Sequence, residues 1–323
     1  MVLNNKGEIK NICIYGVGGV GGYFGGKIAL GLSRIRNTTK RVFFIARGAH
    51  LDEIKKNGLI LNTSEERGII CRPHLATDSI DEIPVPDLCL ICVKSYDLDG
   101  AIKALTRKIK DETIIIPLLN GVDIYERIRG ILNKGIILPA CVYVGTHIEK
   151  PGVVTQKGGD GIILCGYDPG FPDFNNQEII RFFDEMKIRF EWHDNPHTPI
   201  WEKYVFIAPF GLVTAHSEKT LGEVIADKGL KELVQRVMRE VVSIAKRLGI
   251  DLPEDIENKS VEKAGNFPPE TKTSYQRDIE TKGKLNEGDL FGGTIIRLGK
   301  KTGVPTPVTR SIYHEIRRGL DNQ

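Results

Sequence analysis

A chain of 323 residues exceeds one average domain, and 41% hydrophobic with 27% charged residues is the make-up of a globular protein of two domains. A formal net charge of +3 with no lysine- or arginine-rich block gives no footing for nucleic acid or a membrane surface as partner. No segment reaches the roughly 18 uninterrupted apolar residues of a membrane span, and Met1 to Glu8 lacks the sections of a signal peptide, so the sequence reads as cytoplasmic.

The first half alternates short apolar runs with helical patterns, as βαβ units on a parallel sheet do. Strands are predicted over 11–15, 42–46, 88–93, 114–118 and 137–142, and helices over 21–32, 49–57, 98–106 and 124–132. The Pro151-Gly152 pair within 146–155 predicts a hairpin, placed as an antiparallel edge on that sheet. A strand over 162–165 and a helix over 178–186 follow. The polar stretch from Trp192 to Pro199 marks a boundary, giving domains 1–194 and 195–323. Beyond it the pattern is helical. Thr198 and Pro199 read as a cap and first helical residue. Apolar residues at 230, 233, 234, 237, 238, 241, 245 and 248 repeat with a 3.6 period that Gly249 stops. Thr306-Pro307 opens a last helix to about Arg318. The stripe over 230–248 packs internally or against a second copy, which leaves a homodimer open.

The six cysteines are Cys13, Cys71, Cys89, Cys92, Cys141 and Cys165, four of them in apolar strand-like runs. They read as free buried thiols. Cys89 and Cys92 form a C-x-x-C, but within 88–93 it reads as a continuous buried strand, with no second pair to complete a zinc site.

The first predicted strand runs into Gly16-Val17-Gly18-Gly19-Val20-Gly21 and then a helix, the context in which G-x-G-x-x-G binds a dinucleotide. Gly16 permits the turn, Gly18 lets a pyrophosphate approach the backbone, and Gly21 lets the helix pack closely. Ligands of open α/β sheets bind beyond the carboxyl ends of the strands. Those ends carry the glycine turn, Arg47, Lys94 and Asn120. No acid follows the second strand to hold ribose hydroxyls. Arg47 suits a 2′-phosphate instead, which points to NADP(H), against the alternative of a solvated surface arginine. Asn120-Gly121 is either a plain turn or an amide beside the nicotinamide.

Lys203 stands one turn into the helix that opens at Pro199, ahead of an uncharged run from Tyr204 to Ala215. A lysine aimed into such surroundings pairs with an acid or loses basicity by desolvation, making it a proton-donor candidate; the alternative is an ammonium that snorkels to the surface. Glu287, in Asn286-Glu287-Gly288-Asp289, opens another apolar helix, where function and the helix dipole both favour an acid.

Taken together, the chain resembles the ketopantoate reductase (2-dehydropantoate 2-reductase) family along nearly its whole length. The residues that carry the resemblance are the glycine turn, Ala46-Arg47-Gly48, Val93-Lys94, Leu119-Asn120-Gly121, Pro151-Gly152-Val153, Trp201-Glu202-Lys203, Ser274 with Asp278, Glu287-Gly288-Asp289 ahead of Gly292-Gly293, and Gly303 to Pro307. The resemblance implies an α/β fold: an N-terminal Rossmann-type dinucleotide-binding domain with a C-terminal all-helical domain, and an active site in the cleft between them. It implies that NADPH reduces the ketone of a small-molecule 2-oxo acid, most directly 2-dehydropantoate on the way to pantothenate. By the match Lys203 is the general acid. Glu287 bonds the substrate hydroxyl or the ribose and steadies Lys203. Ser274, otherwise a polar-loop serine, binds the carboxylate end, Asn120 bridges cofactor and substrate, and Arg47 and Lys94 handle the nucleotide. Where the family places asparagines one and two turns after the lysine, this chain has Ile207 and Gly211. Losing those amides implies a more apolar pocket and a less hydroxylated 2-oxo acid. A related hydroxyacid or opine-type dehydrogenase, and a non-catalytic NADPH sensor, are the alternatives.

Overall fold

The computed structural model describes residues 8–281 and 285–321, so the stretch read for a leader lies, apart from Glu8, outside the described residues. The chain forms two compact units. One runs to Leu119 and resumes over Ile124–Pro196; the other joins Asn120–Asp123 to the chain from His197 onward.

In the first unit, β1 (Asn11–Tyr15) leads to α1 (Gly19–Arg34), and β2 (Arg41–Ile45) to α2 (Gly48–Asn57). Then come β3 (Leu59–Asn62), β4 (Ile69–Cys71), β5 (Leu75–Thr77), β6 (Leu88–Ile91), α3 (Leu98–Leu105), β7 (Ile114–Pro117), α4 (Ile124–Arg129) and β8 (Ile136–Ile137). The unit ends with β9 (Ala140–Tyr143), β10 (Thr146–Lys150), β11 (Val153–Gln156), β12 (Ile162–Gly166), α5 (Gln177–Glu185) and β13 (Arg189–His193). Six strands form a parallel sheet in the order β5-β2-β1-β6-β7-β8, the arrangement of doubly wound nucleotide-binding sheets. Tyr15 pairs with Ile45 and with Ile91, so the carboxyl ends of β2, β1 and β6 are level. Ile12, Ile14, Phe24, Ile28, Phe44 and Leu90 are buried in its core.

Three expectations change here. The Pro151-Gly152 hairpin forms with the predicted turn, but not on the edge of the parallel sheet. It belongs to a second sheet, β10-β11-β3-β4, in which β11 pairs parallel with β3. The reason lies in α1, whose second face is small: a Cβ on Gly22 would stand 2.6 Å from Val154 Cγ2, so helix and hairpin approach almost to backbone contact. The strand expected over 137–142 is two strands, β8 and β9, interrupted at Pro139, which cannot donate to a ladder. The buried strand expected over 88–93 ends at Ile91, leaving Cys92 half-buried beyond it. The other five cysteines are buried and all six are free. Burial pushes the Cys71 thiol up to about 12 and those of Cys92 and Cys165 higher still, so these thiols are unreactive. Asp168, fully buried, ties β8 to α4 by accepting from Tyr125 Oη (2.7 Å), Ile137 N (2.7 Å), Gly170 N (2.8 Å) and the Arg129 guanidinium.

The second unit is helical: α6 (His197–Ser217), α7 (Leu221–Ala226), α8 (Lys228–Arg247), α9 (Ile256–Gly265), α10 (Ser274–Glu280), α11 (Thr294–Thr302) and α12 (Pro307–Asp321). A π-helical turn over Asp289–Gly293 feeds α11. Helix α6 packs against α8, α9, α10 and α12 and is apolar nearly all round, as a central helix should be. It begins at His197 rather than Pro199, and the expected cap Thr198 instead donates its hydroxyl to the Asp251 carbonyl at 3.1 Å. Of the α8 stripe, Val234, Val237, Met238, Val241 and Ala245 are buried within the unit and Leu230 and Leu233 pack partly against it, while Leu248 is exposed. The buried Glu240 of α8 accepts from Val308 N (2.8 Å), Thr309 N (3.0 Å) and Thr309 Oγ1 (2.5 Å), so a carboxylate from another helix caps the first turn of α12. Among the described residues, no helix is long and apolar enough to cross a membrane.

Candidate active site

The turn after β1 is built from backbone. Gly16 sits at φ +95°, a conformation that L side chains avoid, and its N–H and that of Val17 donate to the Ile45 carbonyl at 3.0 and 3.1 Å. A Cβ on Gly21 would lie 2.1 Å from the Gly16 carbonyl oxygen, so the first turn of α1 rests directly on the glycine turn. Gly18, by contrast, has nothing within 4 Å of where its Cβ would stand. Gly19 and Val20 start α1, whose first amides have no intrahelical acceptor. Beside Gly19, Thr146 Oγ1 is buried and makes no hydrogen bond. An open stretch of backbone, a 16-residue helix pointing its amino end there and an orphaned hydroxyl fit the pyrophosphate of a dinucleotide.

Arg47 precedes α2 and is largely exposed, with 79% of its side chain accessible. Its guanidinium meets the Asp97 carboxylate at 2.5 Å. Because β2 and β6 flank β1, this ion pair joins the two segments on either side of the glycine turn. Lys94 is half-buried and accepts on its carbonyl from Asp97 N at 2.9 Å, opening the 3-10 turn Ser95–Asp97.

In the helical unit, Lys203 is buried (8% exposed) and its ammonium donates to Asn120 Oδ1 at 2.8 Å. One bond of this buried ammonium is therefore to a neutral amide. Asn120 is held in turn by its own segment. Gly121 adopts φ +115°, and Asp123 accepts from Thr294 Oγ1 (3.2 Å) and pairs with Arg297 (3.4 Å). Asp123 and Arg297 therefore tie the 120–123 segment to the π turn and α11, a link that no local pattern announced.

Glu287 is also buried (4% exposed). Its carbonyl accepts from Leu290 N (2.9 Å) and Phe291 N (3.2 Å), so it precedes the π-helical turn rather than sitting in the first turn of an α-helix. Tyr204, next to Lys203, donates to the Leu290 and Phe291 carbonyls at 2.8 and 3.0 Å and fastens that turn to α6. Single π turns in helical proteins frequently mark functional sites. Ser274, expected in a loop, is the exposed first residue of α10, with Thr273 as the N-cap accepting from Gln276 N at 3.2 Å. One and two turns along α6 from Lys203, Ile207 is half-buried, and a Cβ on Gly211 would make ordinary contact with Tyr275 (3.7 Å) and Phe291 (3.9 Å). Those two rings lie 5.2 Å apart, so aromatic carbon borders the positions where amides are missing.

Residues 12–170 match the model of the ketopantoate reductase PanE/ApbA family, and residues 197–319 match that of the ketopantoate reductase PanE/ApbA C-terminal domain. The uncharacterized oxidoreductase YkpB of Bacillus subtilis is 26% identical over 93% of this chain and 95% of its own. A 2-dehydropantoate 2-reductase of Mesorhizobium japonicum is 25% identical over 95% of this chain and 97% of its own. The crystal structure of a PanE/ApbA family ketopantoate reductase from Ralstonia eutropha superposes with a TM-score of 0.86 at 26% identity, covering 97% of this chain and 99% of that one. With both halves matched, the chain belongs to the ketopantoate reductase family of oxidoreductases.

Proposed function

We propose that the protein reduces the ketone of a small 2-oxo acid with NADPH, and that 2-dehydropantoate, giving pantoate, is the first substrate to test. The observation that carries this reading is the buried Lys203 ammonium held on Asn120 at 2.8 Å. A reduced nicotinamide supplies a hydride when bound. The chain supplies the rest. Lys203 donates a proton to the oxygen as the carbonyl carbon becomes tetrahedral, and its charge stabilises the oxygen until then. Solvent returns the proton to the amine. Asn120 orients the lysine and offers its amide to cofactor and substrate. Glu287 bonds the ribose or the substrate hydroxyl and steadies Lys203, and Ser274 takes the carboxylate. The glycine turn (Gly16, Val17, Gly18, Gly19, Val20, Gly21) and Lys94 hold the pyrophosphate, and Arg47 holds the 2′-phosphate. A pure NADPH sensor needs neither Lys203 nor Glu287, which weighs against that role. Six free cysteines suit a cytoplasmic protein.

A second reading is favoured by Ile207 and Gly211 beside Tyr275 and Phe291: a 2-oxo acid with an apolar side chain in place of a hydroxylated one. Loss of 340-nm absorbance from NADPH, followed with 2-dehydropantoate and a panel of aliphatic and aromatic 2-oxo acids, decides. Turnover is expected with at least one of them. NADPH binding without any turnover across the panel rejects the enzyme reading.

The cofactor preference has its own test. Arg47→Ala is expected to raise the NADPH dissociation constant about 10- to 100-fold, the value of a charge-assisted bond of about 1.5–3 kcal/mol, and to leave NADH within about threefold. Asp97→Asn releases Arg47 from an exposed pair, so NADPH affinity should improve by no more than a few-fold. Equal losses for both cofactors in Arg47→Ala contradict the 2′-phosphate role.

A further inference from the structure

His50 lies in the first turn of α2, and its ring meets the hairpin at Gly152 and the glycine turn at the Val17 backbone. Gly152, at φ +74° in the Pro151-Gly152 turn, donates its backbone N–H to His50 Nδ1 at 3.0 Å. An imidazole that accepts at Nδ1 carries its proton on Nε2. Nε2 is fully buried and makes no hydrogen bond of standard geometry. Besides the Gly152 N–H, the carbonyl of Val17, between the two glycines of the turn, acts on this ring, and with Nδ1 occupied it is left to Nε2. Burial holds the imidazole below its usual basicity, only partly opposed by that carbonyl, so the ring is neutral at neutral pH. The amide side of the glycine turn is already fixed, through Gly16 N and Val17 N on the Ile45 carbonyl. On its carbonyl side, Gly16 O accepts from Gly18 N (2.9 Å) and Gly18 O from Gly22 N (2.8 Å), while the Val17 carbonyl between them faces His50.

We infer that His50 is a positioning residue for the dinucleotide: anchored by Gly152, it closes its Nε2–H onto the Val17 carbonyl and sets the peptide plane that presents Gly18 to the pyrophosphate. This inference rests on the nucleotide reading of the glycine turn. A buried donor left unbonded is costly, and closing the bond when the nucleotide docks recovers that cost as affinity.

Three substitutions separate the two ends of the ring. His50→Asn keeps an acceptor near the Nδ1 position but loses the donor, His50→Gln keeps a donor near Nε2, and His50→Ala keeps neither. NADPH binding is read by fluorescence titration, beside kcat at saturating NADPH and the melting temperature. His50→Ala and His50→Asn should bind NADPH about tenfold more weakly, with kcat and the KM for the 2-oxo acid little changed, whereas His50→Gln should stay within about threefold of the parent. Equal affinity in all four proteins overturns the inference, and so does equal weakening in Asn and Gln. A loss of affinity that only tracks falling melting temperature and kcat also overturns it, as mere scaffolding. If His50→Ala does not fold, the Asn–Gln contrast still decides. A parent protein that fails to bind NADPH removes the nucleotide reading itself, which these variants would not do.

Discussion

Lys203→Ala is expected to lower kcat by about 10²–10⁴-fold while the NADPH dissociation constant stays within about threefold, because a positioned general acid contributes on that scale. The lysine is buried in α6 and bonded to Asn120, so its loss removes both the proton and the local positive charge. Lys203→Arg should be nearly as damaging: a guanidinium keeps the charge but does not release a proton in the accessible pH range. Steady-state rates at saturating NADPH, with cofactor titration of the same preparations, measure both. An alanine variant within tenfold of the parent rate would move the proton donor elsewhere.

The second large effect is at the glycine turn, where two neighbouring substitutions should fail differently. Gly21→Ala places a methyl 2.1 Å from the Gly16 carbonyl oxygen and 2.9 Å from Cys92 Cβ, and backbone cannot yield as a flexible side chain would. We expect about 2–4 kcal/mol of lost stability and NADPH affinity reduced by more than about 100-fold. Gly18→Ala has nothing within 4 Å and a negative φ of −92°, so its melting temperature should be close to the parent's. Its methyl occupies the space over the backbone, so NADPH affinity should still fall about tenfold or more. Calorimetry and fluorescence titration on both proteins test the contrast. Gly18→Ala binding NADPH normally would mean that the pyrophosphate does not lie against that residue.

What the sequence made legible follows from which forces are local. The apolar runs ending at Tyr15, Ile91 and Pro117 announce strands because a sheet covered on both faces needs unbroken apolar chain, and β1 falls on its predicted residues. The 3.6 period of α8 is visible for the same kind of reason. Of the strands missed, β3 to β5 run to three or four residues and β13 interleaves Arg189, Glu191 and His193 with its rings, and β3 and β4 are placed by a second sheet that exists because α1 is glycine-rich. The pairing of β11 with β3 spans some ninety residues of chain and leaves no periodic mark. At the site, Lys203 stood out as a charge ahead of an uncharged run. That Asn120 would meet it, that Arg297 would pair with Asp123, and that Asp97 would reach Arg47 depend on distant contacts. His50 gave no signal, since one histidine on a short helix looks like any surface residue until its two nitrogens are located. The π turn after Glu287 was likewise invisible, its carbonyls being satisfied by Tyr204 from another helix.

The short segment Asn120–Asp123 belongs with the helices although it is threaded between β7 and α4 of the other unit. Cutting the gene at the obvious joint, after Pro196, would therefore not yield two self-sufficient halves. The fragment from His197 onward would carry Lys203 without the amide of Asn120, and Thr294 and Arg297 without the carboxylate of Asp123. Its partner fragment would carry those four residues stripped of the helices they pack on. The protein resists modular dissection at this point, and domain swapping among relatives has to move residues 120–123 together with the helical half to keep the lysine and its amide matched.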